Sequence, residues 1–338
     1  MTDPAEELLE LLNIEQLEVD LFRGTGAGGE TTTRIFGGHV IAQALMAAYR
    51  TVENRLCHSL HAYFIRPGDP KIPVIYNVDR ARDGGSFTTR RVVAIQHGKQ
   101  ILNLSASFHE DEDGWSFQHD MPEVEGPEGL LSRAELREAS AGQVTGRERS
   151  DYLRPRPIEI REVEPQDLFE PKPMDDVNHT WFRMEAAKGQ DTPMQHCLLA
   201  YASDMGLLGS SLRPHGISWY RGGVLTASLD HAMWFHGPIR FEDWHLYSMD
   251  SPFTGGGRGF NRGAVYTQDG RLVASVAQFR PGTGVRKCAA ALSEINGTAR
   301  PHSSRGGRRR PDGCYTGGWG WLVVASRWAR QGSRLARR

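Results

Sequence analysis

Two stretches of the chain are apolar around nearly the whole circumference of a helix, which predicts two buried helices. The first covers residues 38–49 and the second covers residues 195–205. A surface helix carries its apolar side chains on one stripe, so a helix that is apolar all round belongs in the interior. Each is followed by a predicted strand, residues 59–64 after the first helix and residues 228–235 after the second.

Each half of this pattern then closes with a predicted β-hairpin. The first hairpin covers residues 90–108 and turns at residues 97–98, and the second covers residues 262–278 and turns at residues 269–270. Helix, strand and hairpin therefore occur twice in the same order, which indicates an internal duplication. A buried helix followed by antiparallel strands suggests a sheet wrapped around a helix, and two such units would pack together.

The segment between the two units differs in composition. It is acidic and holds seven of the 18 prolines, which is typical of a connector. Ser132 and Glu135 have the spacing of a capping box, which predicts one short helix there. The predicted segments are a first unit at residues 1–111, the connector at 112–175, a second unit at 176–278 and a basic Arg- and Gly-rich tail at 279–338.

The net charge of −1 hides two unlike parts. Residues 1–278 have a charge balance of −12, and residues 279–338 have a balance of +11. Taken over the whole chain, the near-neutral charge argues against a nucleic-acid-binding protein. The N-terminus lacks the order of a signal peptide, and no apolar stretch approaches the ~20 residues that span a bilayer. We therefore expect a cytoplasmic protein without a membrane span.

The residues themselves suggest few catalytic candidates. The four cysteines show no CxxC spacing, so no metal site is expected, and no GxSxG motif is present. Asp204 shares a helix face with apolar residues, and a buried carboxylate is costly unless it is hydrogen-bonded or used in chemistry. A cap or a partly exposed residue near the helix end is the alternative. Ser228 and Gln278 border strands of the same unit, where single residues of these types are mostly structural.

Several longer motifs carry a family resemblance, namely residues 34–44 (RIFGGHVIAQA), 59–69 (SLHAYFIRPGD), 199–204 (LAYASD), 228–236 (SLDHAMWFH) and 258–260 (RGF). With these motifs the chain resembles the type II (TesB-like) acyl-CoA thioesterases. The resemblance covers about residues 5–278. It implies an α+β double-hotdog fold, in which two antiparallel sheets are each wrapped round a central helix.

The resemblance also implies an activity and a site. In that family an Asp, a Ser or Thr and a Gln hold the attacking water, and these positions fall on Asp204, Ser228 and Gln278. The family histidine of the SLHAYF motif falls on His61, for which an accessory role and a core histidine are both open. The implied reaction is hydrolysis of acyl-CoA to fatty acid and CoA. No cofactor is implied, since CoA is part of the substrate, and a homo-oligomer (dimer or tetramer) is expected.

Two other functions remain open at this point. One is a non-catalytic acyl-CoA-binding protein, and the other is a hydratase or dehydratase, which hotdog folds also host. The latter enzymes use a His paired with an acidic residue on the central helix. His39 and His196 lie near the predicted helices without such a partner in the expected place.

The tail departs from the family pattern immediately after Gln278. It could be an arm for RNA or anionic lipid, a disordered appendix, or the product of a shifted reading frame. The abrupt break and the arginine-rich composition favour the shifted frame, and nucleic-acid binding by the tail is not expected.

Overall fold

The computed structural model describes residues 3–26, 33–220 and 227–281. The α-helices of this part are α1 (Pro4–Leu12), α2 (Gly37–Tyr49), α3 (Arg133–Ser140), α4 (Gly146–Leu153) and α5 (Thr192–Ser203). The strands are β1 (Glu15–Glu18), β2 (Leu21–Gly24), β3 (Leu56–Phe64), β4 (Val74–Asp83), β5 (Phe87–Gln96), β6 (Lys99–His109), β7 (Glu159–Glu162), β8 (Asn178–Arg183), β9 (Asp230–Phe235), β10 (His245–Gly255), β11 (Arg258–Thr267) and β12 (Leu272–Pro281).

All twelve of these strands form one antiparallel sheet, in the order β1-β2-β4-β5-β6-β3-β9-β12-β11-β10-β8-β7. The two halves repeat each other when they are read inward from opposite edges. The first half runs β2-β4-β5-β6-β3 and the second runs β8-β10-β11-β12-β9, so equivalent strands occupy equivalent places. The halves join at the centre, where β3 pairs with β9 and Leu60 lies opposite Met233. This symmetry places α2 and α5, which precede β3 and β9, in matching positions.

The two predicted central helices are confirmed as α2 and α5. They contact each other, and α2 also contacts β4, β5 and β6. Every residue of α2 after Gly37 is buried. α5 starts at Thr192, three residues before the predicted start, because the Asp191 side chain caps it by accepting a hydrogen bond from the Met194 N–H at 2.9 Å. Both predicted hairpins are confirmed as well, as β5–β6 and β11–β12.

The connector is more structured than predicted. Ser132 and Glu135 form the expected capping box at the start of α3. A second helix, α4, was not predicted. It is held by the buried ring of Tyr152, whose centroid lies 6.0 Å from that of Phe169. The connector also supplies β7, which pairs with β8 and so adds an edge strand to the second half of the sheet.

Strand β12 continues to Pro281, past the predicted start of the tail at residue 279. Two contacts hold this end in the sheet. The Phe279 N–H donates to the Asp230 carboxylate at 2.6 Å, and the Phe279 ring lies 4.9 Å from that of Phe260, measured between centroids. The rest of the predicted tail, residues 282–338, lies outside the described part of the chain. Within the described residues, no helix combines the length and the apolar character needed to cross a membrane.

Candidate active site

Asp204 lies where the C-terminus of α5 meets the N-terminus of α2. It directly follows the last residue of α5, and only 6% of its surface is exposed. The sequence left open whether this carboxylate is buried or partly exposed, and the fold buries it. The Gly38 N–H, in the first turn of α2, donates to Asp204 Oδ2 at 2.9 Å. The partial positive charge of a helix N-terminus favours an anionic group in this place.

Two adjacent glycines allow the helix ends to approach this closely. A Cβ atom on Gly37 would lie 2.7 Å from Asp204 Oδ2. A Cβ atom on Gly38 would lie 2.4 Å from the backbone carbonyl oxygen of Tyr201 in α5. Real Cβ contacts are longer than either distance, so any side chain at these positions would separate α2 from the carboxylate.

The structure brings the three predicted site residues together. The Ser228 hydroxyl donates to Asp204 Oδ1 at 3.2 Å, and Gln278 Nε2 donates to the same oxygen at 2.7 Å. Gln278 lies on the buried face of β12 and is 1% exposed, whereas Ser228 is half-buried just before β9. Asp204 therefore accepts three hydrogen bonds, and a hydroxyl and an amide share one of its oxygens.

Burial raises the pKa of Asp204 from 3.8 to about 6, although the hydrogen bonds that it accepts act in the opposite direction. A carboxylate with a pKa of about 6 is ionised at neutral pH and is more basic than an ordinary Asp. Proton transfer is most efficient when the pKa of the base lies near the working pH. The arrangement can therefore remove a proton from a water molecule beside Asp204.

A second layer of contacts holds the backbone next to Asp204. The Tyr247 hydroxyl donates to the Ser203 carbonyl oxygen at 2.8 Å. The Ser203 hydroxyl lies 2.8 Å from Nε2 of His231, which is fully buried. Burial lowers the pKa of His231 to about 3, so this ring is neutral at neutral pH. These contacts come from β9 and β10, and they tie the end of α5 to the sheet.

The segment that carries Ser228 is held between strands of both halves. The Leu229 N–H donates to the Phe279 carbonyl oxygen of β12 at 3.0 Å. The Leu229 carbonyl oxygen accepts from the Phe64 N–H of β3 at the same distance. Ser228 is thus placed by the central β3–β9–β12 region, and its position depends on the end of β12 that follows Gln278.

His61 does not join this group. It lies on the exposed face of β3, where its ring makes an edge contact with Trp234 at 5.3 Å between centroids. Its neighbours Leu60 and Ala62 face the core. The core-histidine alternative is therefore wrong, because successive residues of a strand face opposite sides of the sheet. No contact between described residues links His61 to Asp204 or its partners.

The histidines of the central helices are occupied by other contacts. His39 Nε2 lies 3.0 Å from the Thr25 carbonyl oxygen. His196 Nδ1 lies 2.7 Å from the Tyr49 hydroxyl, and its ring stacks on Phe235. Neither contact involves a carboxylate. Among the residues that the structure describes, no three His, Cys, Asp or Glu side chains are grouped as ligands for a metal ion.

Three residues next to the site were not singled out by the sequence. Gly38 and Asn261 are the first two, and the register of the predicted second hairpin would have placed Asn261 opposite Gln278. The third is Arg280, which falls within the predicted tail at residues 279–338. Its side chain is 1% exposed, Nε donates to the Ser211 hydroxyl at 2.7 Å, and burial lowers its pKa to about 10.

Comparison with known proteins gives matches over most of the chain. A sequence model of the acyl-CoA thioesterase family matches residues 150–280, and a model of the acyl-CoA thioesterase N-terminal domain matches residues 28–109. Human acyl-coenzyme A thioesterase 8 is 40% identical over 277 residues, which cover 79% of this chain and 86% of the human protein.

Solved structures show the same relationship. Acyl-CoA thioesterase II TesB2 from Mycobacterium marinum superposes with a TM-score of 0.67 at 40% identity, covering 82% of this chain and 98% of that one. A hot dog fold protein of unknown function from Alicyclobacillus acidocaldarius superposes with a TM-score of 0.66 at 18% identity, covering 82% of this chain and 98% of that one. At this identity, the match is evidence for the fold alone. The predicted double-hotdog fold is confirmed, and the chain belongs to the acyl-CoA thioesterase family.

Proposed function

We propose that this protein hydrolyses acyl-CoA thioesters to a free fatty acid and CoA, with Asp204, Ser228 and Gln278 as the catalytic residues. The observation that carries the proposal is the convergence of a hydroxyl and an amide on one oxygen of a buried carboxylate whose pKa is about 6. The family relationship supplies the thioester, because the relatives are named acyl-CoA thioesterases.

The proposed reaction is a direct attack by water, without an acyl-enzyme. Asp204 accepts a proton from the water while the water oxygen forms a bond to the thioester carbonyl carbon. The electron pair of the carbonyl double bond moves to the carbonyl oxygen. The tetrahedral intermediate then collapses and the C–S bond breaks. The CoA sulfur leaves with the electron pair and takes up the proton from Asp204. Ser228 and Gln278 orient the water, and orientation alone can lower a barrier considerably.

The geometry also bears on how the negative oxygen is stabilised. Backbone N–H groups at a helix N-terminus can stabilise such an oxygen, and Gly38 lies in such a place. Its N–H, however, donates to Asp204, so in this arrangement it supports the base rather than the thioester oxygen.

The test is the Asp204→Asn variant, assayed for thiol release from acyl-CoAs of several chain lengths. An amide cannot act as the base, so we expect kcat to fall about 100-fold or more. Asp191→Asn is the matched control, because it makes the same substitution at the other end of α5, where Asn caps a helix as well as Asp does. Near wild-type activity of Asp204→Asn would refute the assignment.

In the wild type, kcat/KM should fall as the pH decreases through about 6, since the base becomes protonated.

The same assay separates the alternatives. Binding of acyl-CoA without thiol release would indicate a non-catalytic binding protein. Double-bond chemistry without thiol release would indicate a hydratase, which the contacts of His39 and His196 with neutral groups disfavour.

We infer further that the protein consists of two duplicated hotdog units, residues 1–111 and 176–278, which the connector at 112–175 joins. The repeated strand order of the two halves of the sheet supports this division. We also propose a cytoplasmic location, which suits the free and buried thiols of Cys57 and Cys197. A homo-oligomer, dimer or tetramer, remains our proposal for its assembly, and CoA enters only as part of the substrate.

A further inference from the structure

An asparagine faces the proposed catalytic glutamine across the last two strands. Asn261 of β11 is the register partner of Gln278 in β12. The two side chains are buried, with 0% and 1% of their surface exposed. Directly opposed residues of an antiparallel pair share a face and have Cβ atoms about 4.5–5.5 Å apart. The side chains of Asn261 and Gln278 are therefore neighbours on the buried face of the sheet.

Both amides have hydrogen-bonding atoms without a partner in the described part of the chain. Gln278 Nε2 donates to Asp204, but Gln278 Oε1 accepts no hydrogen bond. Asn261 has no partner for either its amide nitrogen or its amide oxygen. A buried polar group that makes no hydrogen bond has lost its contacts with water without replacing them, which destabilises the fold. A hydrogen bond from Asn261 Nδ2 to Gln278 Oε1 would satisfy an atom of each.

Such a bond would also decide which way the Gln278 amide faces. The two ends of a glutamine amide are nearly equal in size, so packing alone does not distinguish them. With Nε2 toward Asp204, the amide donates to the carboxylate, whereas the reversed amide would place Oε1 against the negative charge. A donor at Oε1 favours the first orientation, and Asn261 is positioned to supply it.

We propose that Asn261 is a positioning residue, which donates to Gln278 Oε1 and so keeps the Gln278 N–H directed at Asp204. The inference rests on the proposed function, because it takes Gln278 to be a catalytic residue. Asn261 acts through Gln278 and is not itself in contact with the reacting atoms.

The first experiment compares Asn261→Leu with wild type in acyl-CoA hydrolysis. Leucine has nearly the shape of asparagine but carries no donor. We expect kcat to fall about tenfold while KM stays within about twofold. Thr180→Val is the control, because the Thr180 hydroxyl is likewise buried without a partner among the described residues, but it lies in β8, which β10 and β11 separate from Gln278 in β12. The control should keep its activity. Asn261→Ala is the second variant if the leucine variant does not fold.

The second readout is the acidic limb of the pH profile of kcat/KM. The hydrogen bond from Gln278 lowers the pKa of Asp204, so weakening this bond should move the limb to higher pH. Tyr201, Tyr247 and, behind Ser203, His231 are titratable groups close to Asp204 in the described structure, and the charged Asp230 and Arg280 lie farther along β9 and β12. Burial raises the pKa of both tyrosines and lowers that of His231 to about 3, so these three remain neutral in the range where Asp204 titrates. A merely structural role for Asn261 would not move the limb.

The decisive experiment is a double-mutant cycle with Gln278→Ala. If Asn261 acts through Gln278, then adding Asn261→Leu to Gln278→Ala should change kcat by less than about twofold. An equal tenfold loss in both backgrounds would overturn the inference, and so would full activity of Asn261→Leu alone. The cycle distinguishes a failure of the proposed catalytic site from a failure of the role proposed for Asn261. Full activity of Gln278→Ala would refute the proposed site and with it the inference, whereas an impaired Gln278→Ala with an unimpaired Asn261→Leu would refute only the inference.

Discussion

Asp204→Asn should gain stability relative to wild type as the pH rises. The pKa of Asp204 is about 6 in the folded protein and 3.8 for an ordinary Asp. The folded state therefore holds this proton up to a higher pH than the unfolded chain does, and ionisation of Asp204 disfavours folding. This cost is absent below about pH 3.8, grows through the window up to about pH 6, and is fully present above it. One pKa unit corresponds to about 1.4 kcal/mol, so the cost at neutral pH is about 3 kcal/mol.

The measurement is urea unfolding of both proteins at several pH values between about 3 and 8. Asparagine does not titrate, so the difference in the free energy of unfolding, variant minus wild type, should rise by about 3 kcal/mol across the window. Any constant offset from the rearranged hydrogen bonds leaves this change unaffected. A difference that stays flat, or that falls as the pH increases, would refute the reasoning that burial raises the pKa of this carboxylate. Together with lost activity, the expected curve would show that the site costs stability.

Two further changes test the packing around the site. Gly38→Ala should destabilise the protein by about 1–3 kcal/mol and reduce kcat, because the new methyl group would meet the Tyr201 carbonyl oxygen. Gly209→Ala is the control and should leave stability unchanged, since a Cβ atom there has no neighbour within 4 Å. Equal melting temperatures of the two variants would contradict this prediction. A chain ending after Pro281 should keep its activity, whereas one ending after Gln278 should lose about 2 kcal/mol or more and most of its activity, since the contacts of the strand end disappear. Thermal melts and thiol release measure both, and an active, stable shorter chain would contradict the role given to the end of β12.

The local elements could be predicted from the sequence because their signals are local. A helix that is apolar on every side reveals its burial, and a turn at residues 97–98 or 269–270 between alternating segments reveals a hairpin. The ends of some helices and strands could not be predicted, because contacts between residues far apart in the sequence determine them. α4 is held by Tyr152 packing on Phe169, and β12 continues to Pro281 because Asp230 accepts a hydrogen bond from Phe279.

The site residues could not be predicted from local signals of this kind. Single Asp, Ser and Gln residues have no periodicity, and only the resemblance to a family selected Asp204, Ser228 and Gln278 together. The same resemblance pointed to His61, which the alternation of β3 places on the exposed face of the sheet. Asn261 had no signal except its register opposite Gln278.

The sequence by itself therefore determined two buried helices, two hairpins, their repetition and the family. Only the tertiary structure decided the chemistry of Asp204, because its partners are distant along the chain. Ser228 is 24 residues away, Gln278 is 74 and Gly38 is 166. The raised pKa of Asp204 follows from the removal of water at this junction, and the exclusion of water is a property of the packed helices and sheet, which no single segment has alone.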